Sequence, residues 1–216
     1  MAGLNYHIFD PNQAKVFPKL DFLSRNNFYL AGGTALALQL GHRTSVDFDF
    51  YCPKHFDESA LFKQIENIFG QKAKITVKQK DSLFCRINNV ECSFFRYQYP
   101  LIKKPLKSQG PPLASMEDIA AMKLIAVSMR PVKRDYIDIY YLLNKFNLEK
   151  MFSFVKKKYP NFNEYFAVRA LTYFEDITEG KKKRDVRILE PGFSWDKAQE
   201  TIFEAAKKYQ LEMIKG

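Results

Sequence analysis

The sequence predicts an α+β protein, a small mixed sheet with flanking helices over residues 1–112 followed by a helical lobe over 113–216. Three observations carry that prediction. Val46-Asp-Phe-Asp-Phe-Tyr51 alternates acidic and aromatic residues with the period of two that a strand requires. A strand, glycine turn and helix stand just before it. A Pro-rich crossing (Pro100, Pro105, Pro111, Pro112) then separates β-rich from helix-rich sequence.

Taken in order, Asp10-Pro11 starts a helix whose apolar positions Val16, Leu20 and Leu23 keep helical spacing, with Pro18 limiting its regularity. Phe28 to Ala31 is an apolar run too short for a helix and closed by Gly32-Gly33, hence a strand. Thr34 to Leu40 is rich in strong helix formers and Gly41 is its C-cap. Glu58 to Phe69 places Leu61, Ile65, Ile68 and Phe69 on one helical stripe. Lys74 to Lys80, Ser82 to Ile87 and Val90 to Tyr97 read as a meander, the last two joined through Asn88-Asn89. Beyond the prolines, Ser115-Met-Glu-Asp118 is a capping-box start for a helix to about Ser128. Pro131 separates it from a helix over Arg134 to Asn144, and further helices are predicted near 148–158, 162–175 and 195–209. Ser194 is the N-cap of the last, with Trp195 expected in the core.

Composition excludes several classes. With 46% apolar residues and 27% charged, the chain is neither disordered nor fibrous. No apolar run approaches the ~18 residues of a membrane span and no signal-peptide pattern opens the chain, so a cytoplasmic protein is expected. The three cysteines (Cys52, Cys85, Cys92) contain no CxxC pair, which argues against a disulfide framework or a zinc site. The net charge is +10, and the excess is uneven: residues 1–100 carry 12 basic and 9 acidic side chains, residues 101–216 carry 22 and 15. A polyanion-attracting field is therefore expected mainly from the second half, where Lys156-Lys-Lys158 and Lys181-Lys-Lys-Arg184 are either phosphate contacts or solvated charge.

The chemistry concentrates between Leu30 and Asp49. On a strand, Asp47 and Asp49 project from the same side, about 7 Å apart at Cα. Two like charges so close repel unless a cation lies between them, and oxygen ligands without His or Cys select Mg²⁺ or Mn²⁺. Paired carboxylates of this kind serve in-line phosphoryl displacement. Gly32-Gly33-Thr34 lies where a strand hands over to a helix, so unpaired N–H groups and small residues there admit an anion, and the Thr34 hydroxyl could add a bond to a phosphate oxygen. There is no GxxxxGK[ST] and no GxGxxG, which excludes P-loop and Rossmann dinucleotide sites. The three histidines and Cys52 form no nucleophilic triad.

Gly33-Thr34, twelve residues, then Asp47-Phe-Asp49 is similar to the signature of the DNA polymerase β-like nucleotidyltransferase superfamily. Ala31-Gly-Gly-Thr-Ala-Leu-Ala-Leu38 and His42-Arg-Thr-Ser-Val-Asp-Phe-Asp49 resemble the AbiEii/AbiGii toxin family within it, as do Glu117-Asp-Ile-Ala-Ala-Met-Lys123 and Lys133-Arg-Asp-Tyr-Ile-Asp-Ile-Tyr140. The resemblance runs from about residue 12 to Trp195. It implies a Mg²⁺- or Mn²⁺-dependent transfer of NMP from NTP, with Asp47 and Asp49 as metal ligands and Gly32, Gly33, Thr34 and Ser45 around the phosphates. It places Arg43 near the nucleotide and has Lys123 reach the phosphates, with Asp135 or Asp138 completing the pocket. It also implies the toxin half of a toxin–antitoxin or abortive-infection pair, with a cognate antitoxin.

For the acceptor, the basic second half favours RNA, tRNA in particular, with a protein acceptor as the alternative. Polymerase β-like enzymes often supply a third carboxylate from a later strand, and here the position falls on Ser93, with Glu91 on the same strand face. That departure leaves two other readings, a nucleotide- or RNA-binding module with a decayed catalytic set, and a small-molecule (antibiotic) nucleotidyltransferase. From the residues alone, Lys123 is a single base among Ile119, Ala120, Met122 and Leu124. Asp135 opens a helix, and Asp138 could pair with Arg134 on the helix face.

Overall fold

A computed structural model describes residues 3–180 and 186–215. The chain divides into two compact units, Met1–Ser115 with Asp185–Leu189, and Met116–Arg184 with Glu190–Gly216. The basic run 181–184 lies outside the described residues.

In the first unit, α1 (Pro11–Val16) opens on a capping box: Asp10 accepts from the Asn12 and Gln13 amides while Gln13 Oε1 accepts from the Asp10 amide. Pro18 coincides with the change from α-helix to a 3₁₀ segment over Phe17–Asn26. Strand β1 is only Tyr29–Leu30, and α2 (Gly32–Leu40) begins on the glycines themselves rather than after them. Gly41 ends α2 in the left-handed conformation, φ 69°. Then follow β2 (Asp47–Cys52), α3 (Glu58–Phe69), β3 (Ala73–Gln79), β4 (Ser82–Ile87) and β5 (Val90–Arg96).

The sheet order is β1-β2-β5-β4-β3, with β2 and β5 parallel and every other pair antiparallel. The buried side of β2 is Phe48, Phe50 and Cys52, each 1% exposed or less. Phe50 stacks on Phe94 at 5.1 Å, and Phe48 meets Phe17 and Phe9 at 5.5 Å each. Burying each ring contributes roughly 1.5–3 kcal/mol. A one-residue slip would exchange these rings for two carboxylates, so the aromatic core itself sets which face Asp47 and Asp49 occupy. Residues 187–189 return to this unit: the Thr44 amide donates to the Arg187 carbonyl, and the Leu189 amide to that of His42.

The second unit is helical: α4 (Met116–Met129), α5 (Lys133–Leu143), α6 (Leu148–Lys158), α7 (Glu164–Thr172) and α8 (Trp195–Lys215). Ile119, Leu124, Tyr136, Ile139, Leu142 and Phe152 are 1% exposed or less, and Phe152 stacks on Tyr209 at 4.5 Å. Two expectations are corrected here. Trp195 is half-buried rather than core, with the Lys133 ammonium 5.3 Å from its ring, although Ser194 does cap α8 by accepting from the Lys197 amide. Lys158 is neither solvated nor a phosphate contact: it is fully buried, 2.7 Å from an equally buried Asp118, and its neighbour Lys156 pairs with Glu164 at 3.1 Å. Among the described residues no helix is long and apolar enough to cross a membrane.

Candidate active site

The residues singled out in the sequence gather as two groups, one in each unit. In the first, β2 carries Asp47 and Asp49 on one face, both half-buried. Backbone bonds set the strand against the start of α2, since the Ala31 amide donates to the Asp49 carbonyl at 3.0 Å. The N-cap residue of α2 is Ala31, which has no side-chain acceptor for the helix's first amides. Gly32 sits at φ 65°, and a Cβ there would lie 3.3 Å from Asp49 Oδ2, so the carboxylate rests directly against the glycine bend.

The side chains behind the bend are buried. Thr34 Oγ1 is 2.5 Å from the Asp47 carbonyl and 2.7 Å from Ser45 Oγ. With one proton, Thr34 donates to the carbonyl and accepts from Ser45. Thr34 and Ser45 are 2% and 4% exposed, and the Ser45 carbonyl accepts from Gln13 Nε2 at 2.8 Å. The two hydroxyls thus tie the start of α2 to the segment leading into β2, a role not visible in the sequence. Arg43 is 1% exposed, with Nη1 donating to the Thr44 carbonyl at 2.9 Å. A Cβ at Gly33 would overlap Arg43 Nη2. Because a guanidinium does not deprotonate in proteins, Arg43 fixes a positive charge directly beneath the bend.

That overlap makes Gly33→Ala a specific test. The methyl displaces a buried guanidinium, so transfer is expected to fall about 10²-fold, as for other small misplacements of a site. Circular dichroism checks that the fold is retained, and activity equal to the parent protein would show that Arg43 does not brace the bend.

Parallel pairing puts Glu91 opposite Asp47 and Ser93 opposite Asp49. Glu91 is in addition 3.4 Å from Arg86. Among the described residues no three His, Cys, Asp or Glu side chains cluster as a metal site. Asp47 and Asp49 on one strand face offer two carboxylates, a donor type that would fit Mg²⁺, which keeps several waters and is commonly held by one or two carboxylates together with substrate phosphates. The cysteines offer no alternative chemistry. All three are buried and free, and burial pushes the Cys52 thiol up to about 11 and the Cys92 thiol well above the ordinary thiol range.

In the second unit, Lys123 is not a lone base. It is 6% exposed, and its Nζ lies 2.5 Å from both Asp135 Oδ1 and Asp138 Oδ2, each carboxylate 2% exposed or less. Arg130 Nε adds a longer contact to Asp135, at 3.5 Å. Asp138 is thus held by Lys123 from α4. Each buried charge in this cluster is compensated mainly by the others.

Comparison with known proteins gives the family and the fold. Residues 20–210 match the profile of a family described as the nucleotidyl transferase AbiEii toxin of type IV toxin–antitoxin systems. A chain from Aquifex aeolicus (strain VF5), described as uncharacterized protein aq_aa25, is 37% identical over 190 residues, 85% of this chain and 88% of that one. MenT4, a nucleotidyltransferase toxin of Mycobacterium tuberculosis H37Rv, matches with a TM-score of 0.55 at 18% identity, over 88% of this chain and 80% of that one. JHP933 from Helicobacter pylori matches with a TM-score of 0.55 at 15% identity, over 99% and 100%. The fold is that of the polymerase β-like nucleotidyltransferases.

Proposed function

Because the chain belongs to the AbiEii nucleotidyltransferase toxin family, we propose that it transfers a nucleoside monophosphate from an NTP onto an RNA hydroxyl, that of a tRNA in particular, and releases pyrophosphate. The observation that carries this reading is Asp49 resting against the uncapped N-terminus of α2, with Asp47 beside it on the same strand face. Carboxylates and a helix start of opposite polarity, side by side, are what a metal-bound triphosphate needs: oxygen donors on one side and N–H donors on the other.

In this reading Asp47 and Asp49 hold a Mg²⁺ or Mn²⁺ ion, which when bound would neutralise phosphate charge and polarise the phosphorus being attacked. The Gly32 and Gly33 amides take phosphate oxygens. Arg43 supplies a fixed positive charge under them, and Thr34 and Ser45 hold the bend to β2. The acceptor hydroxyl attacks the α-phosphorus, a P–O bond forms there, and the bond to the β-phosphate oxygen breaks. Glu91, on the Asp47–Asp49 face of the sheet, takes the hydroxyl's proton in place of the carboxylate that Ser93 lacks. Lys123, with Asp135 and Asp138, is the second charged group required for transfer, as the family resemblance implies. The RNA preference draws on the net charge of +10. A cognate antitoxin protein is the expected partner.

Incubating the protein with each α-labelled NTP, Mg²⁺ and total RNA tests the acceptor: label is expected in RNA of tRNA size and not in protein. Label in protein alone would replace RNA as the acceptor. Glu91→Gln is expected to slow transfer about 10²-fold, within the range for loss of a general base. An unchanged rate would move proton removal to water or substrate.

A further inference from the structure

The face of the sheet that carries the acids continues into a run of aromatic rings. Tyr51, the next residue on that face of β2 after Asp49, stacks on Tyr29 at 6.2 Å and lies 5.6 Å from Phe95. Phe95 meets Phe84 edge-on at 5.2 Å. Register fixes the layout, with Phe84 opposite Ser93, which is itself opposite Asp49, and Phe95 opposite Tyr51. Tyr51, Phe84 and Phe95 are half-buried, unlike the fully buried Phe48, Phe50 and Phe94 behind them. Beyond Phe84 the same face bears two exposed cations on paired positions, Lys74 on β3 and Arg86 on β4, the latter opposite Glu91 and 3.4 Å from its carboxylate.

The rings thus begin one side-chain step, about 7 Å, from the metal-binding pair and end at a basic edge. Each ring keeps part of a flat face open beside its neighbours, and a further flat aromatic group can lie on it. Bases of a single strand can lie on such rings whatever their sequence, whereas in a duplex they are already stacked on one another. Lysine and arginine at the edge complement the strand's phosphates.

We propose that Tyr51, Phe95 and Phe84 form a stacking platform for the unpaired 3′ end of the acceptor RNA, with Lys74 and Arg86 taking its phosphates. This rests on the RNA-acceptor reading above and names the surface that would deliver the hydroxyl to Asp47 and Asp49.

The test is binding of a short 5′-fluorescein-labelled single-stranded RNA to the full chain by fluorescence anisotropy, without NTP or divalent ion. Phe84→Leu is expected to raise Kd about tenfold, the size of one lost base–aromatic stack. Phe84→Tyr is expected to bind like the parent protein, and Lys74→Gln to weaken binding and lower the salt slope by about one. Thermal midpoints and NTP affinity of these variants are expected to stay unchanged, which separates lost stacking from lost fold. Equal affinity of Phe84→Leu and the parent, or equal affinity for the duplex of the same sequence, would overturn the platform. Ring-dependent RNA binding without any transfer to RNA would uphold the platform and remove the acceptor reading. Transfer to RNA whose KM for RNA is untouched by Phe84→Leu would do the reverse.

Discussion

Asp47→Asn and Asp49→Asn are each expected to lower nucleotidyl transfer about 10³-fold or more, the order seen when a main electrostatic stabiliser of a transition state is removed. The substitution keeps shape and hydrogen-bonding capacity but removes the negative charge that would hold a divalent ion. The fold is expected to be retained, because Phe48 and Phe50 on the opposite face anchor β2. Activity assays alongside thermal denaturation check both halves. A variant that loses activity together with its fold would say nothing in favour of a metal role, and one that keeps activity would refute it.

The second large effect lies in the helical unit. Asp118→Ala leaves the Lys158 ammonium in a fully buried place without its carboxylate, and removing one partner of such a pair costs about 3–5 kcal/mol. Thermal or urea denaturation measures it. Replacing both residues, as in Asp118→Leu with Lys158→Met, is expected to recover most of that loss, because the packed volume returns and no charge remains to be desolvated. The pH dependence has a definite sign. Burial lowers the Lys158 pKa, and Asp118 acts against that shift. In the Asp118→Ala variant the folded state therefore gives up the Lys158 proton at lower pH than the unfolded chain does. Between that lowered value and the ordinary 10.5 the unfolded chain binds more protons, so the variant's deficit shrinks as pH rises through this window. A deficit that does not change with pH would show that lost packing, not a stranded charge, is the cause.

Much of the first unit was legible because its signals are local. The period of two in Asp47-Phe-Asp-Phe50 already places both acids on one face. Gly41 marks the end of α2, and the Asn88-Asn89 turn joins two strands that do pair. What escaped depends on residues distant in sequence. Nothing near Thr34 shows that its hydroxyl will meet Ser45 and the Asp47 carbonyl, and nothing near Gly33 shows that Arg43 runs beneath it. The pairing of Lys158 with Asp118 spans 40 residues, so a run of three lysines looked like surface charge. Lys123 among apolar neighbours looked unaccompanied because Asp135 and Asp138 come from another helix. The position of Ser93 is expected from the family resemblance, and the parallel register of β2 and β5 puts it opposite Asp49. The Tyr51–Phe95–Phe84 run was not legible, since its rings come from three strands whose register only long-range pairing sets.

The central claim is that Asp47 and Asp49 together hold a divalent ion when an NTP is bound. Titrating Mn²⁺ into the protein with a non-hydrolysable NTP analogue, followed by electron paramagnetic resonance, measures that occupancy directly. The parent protein is expected to bind Mn²⁺ in an analogue-dependent way, and the Asp47→Asn/Asp49→Asn double variant to lose that binding while keeping its fold. Equal Mn²⁺ occupancy in the two proteins would contradict the claim.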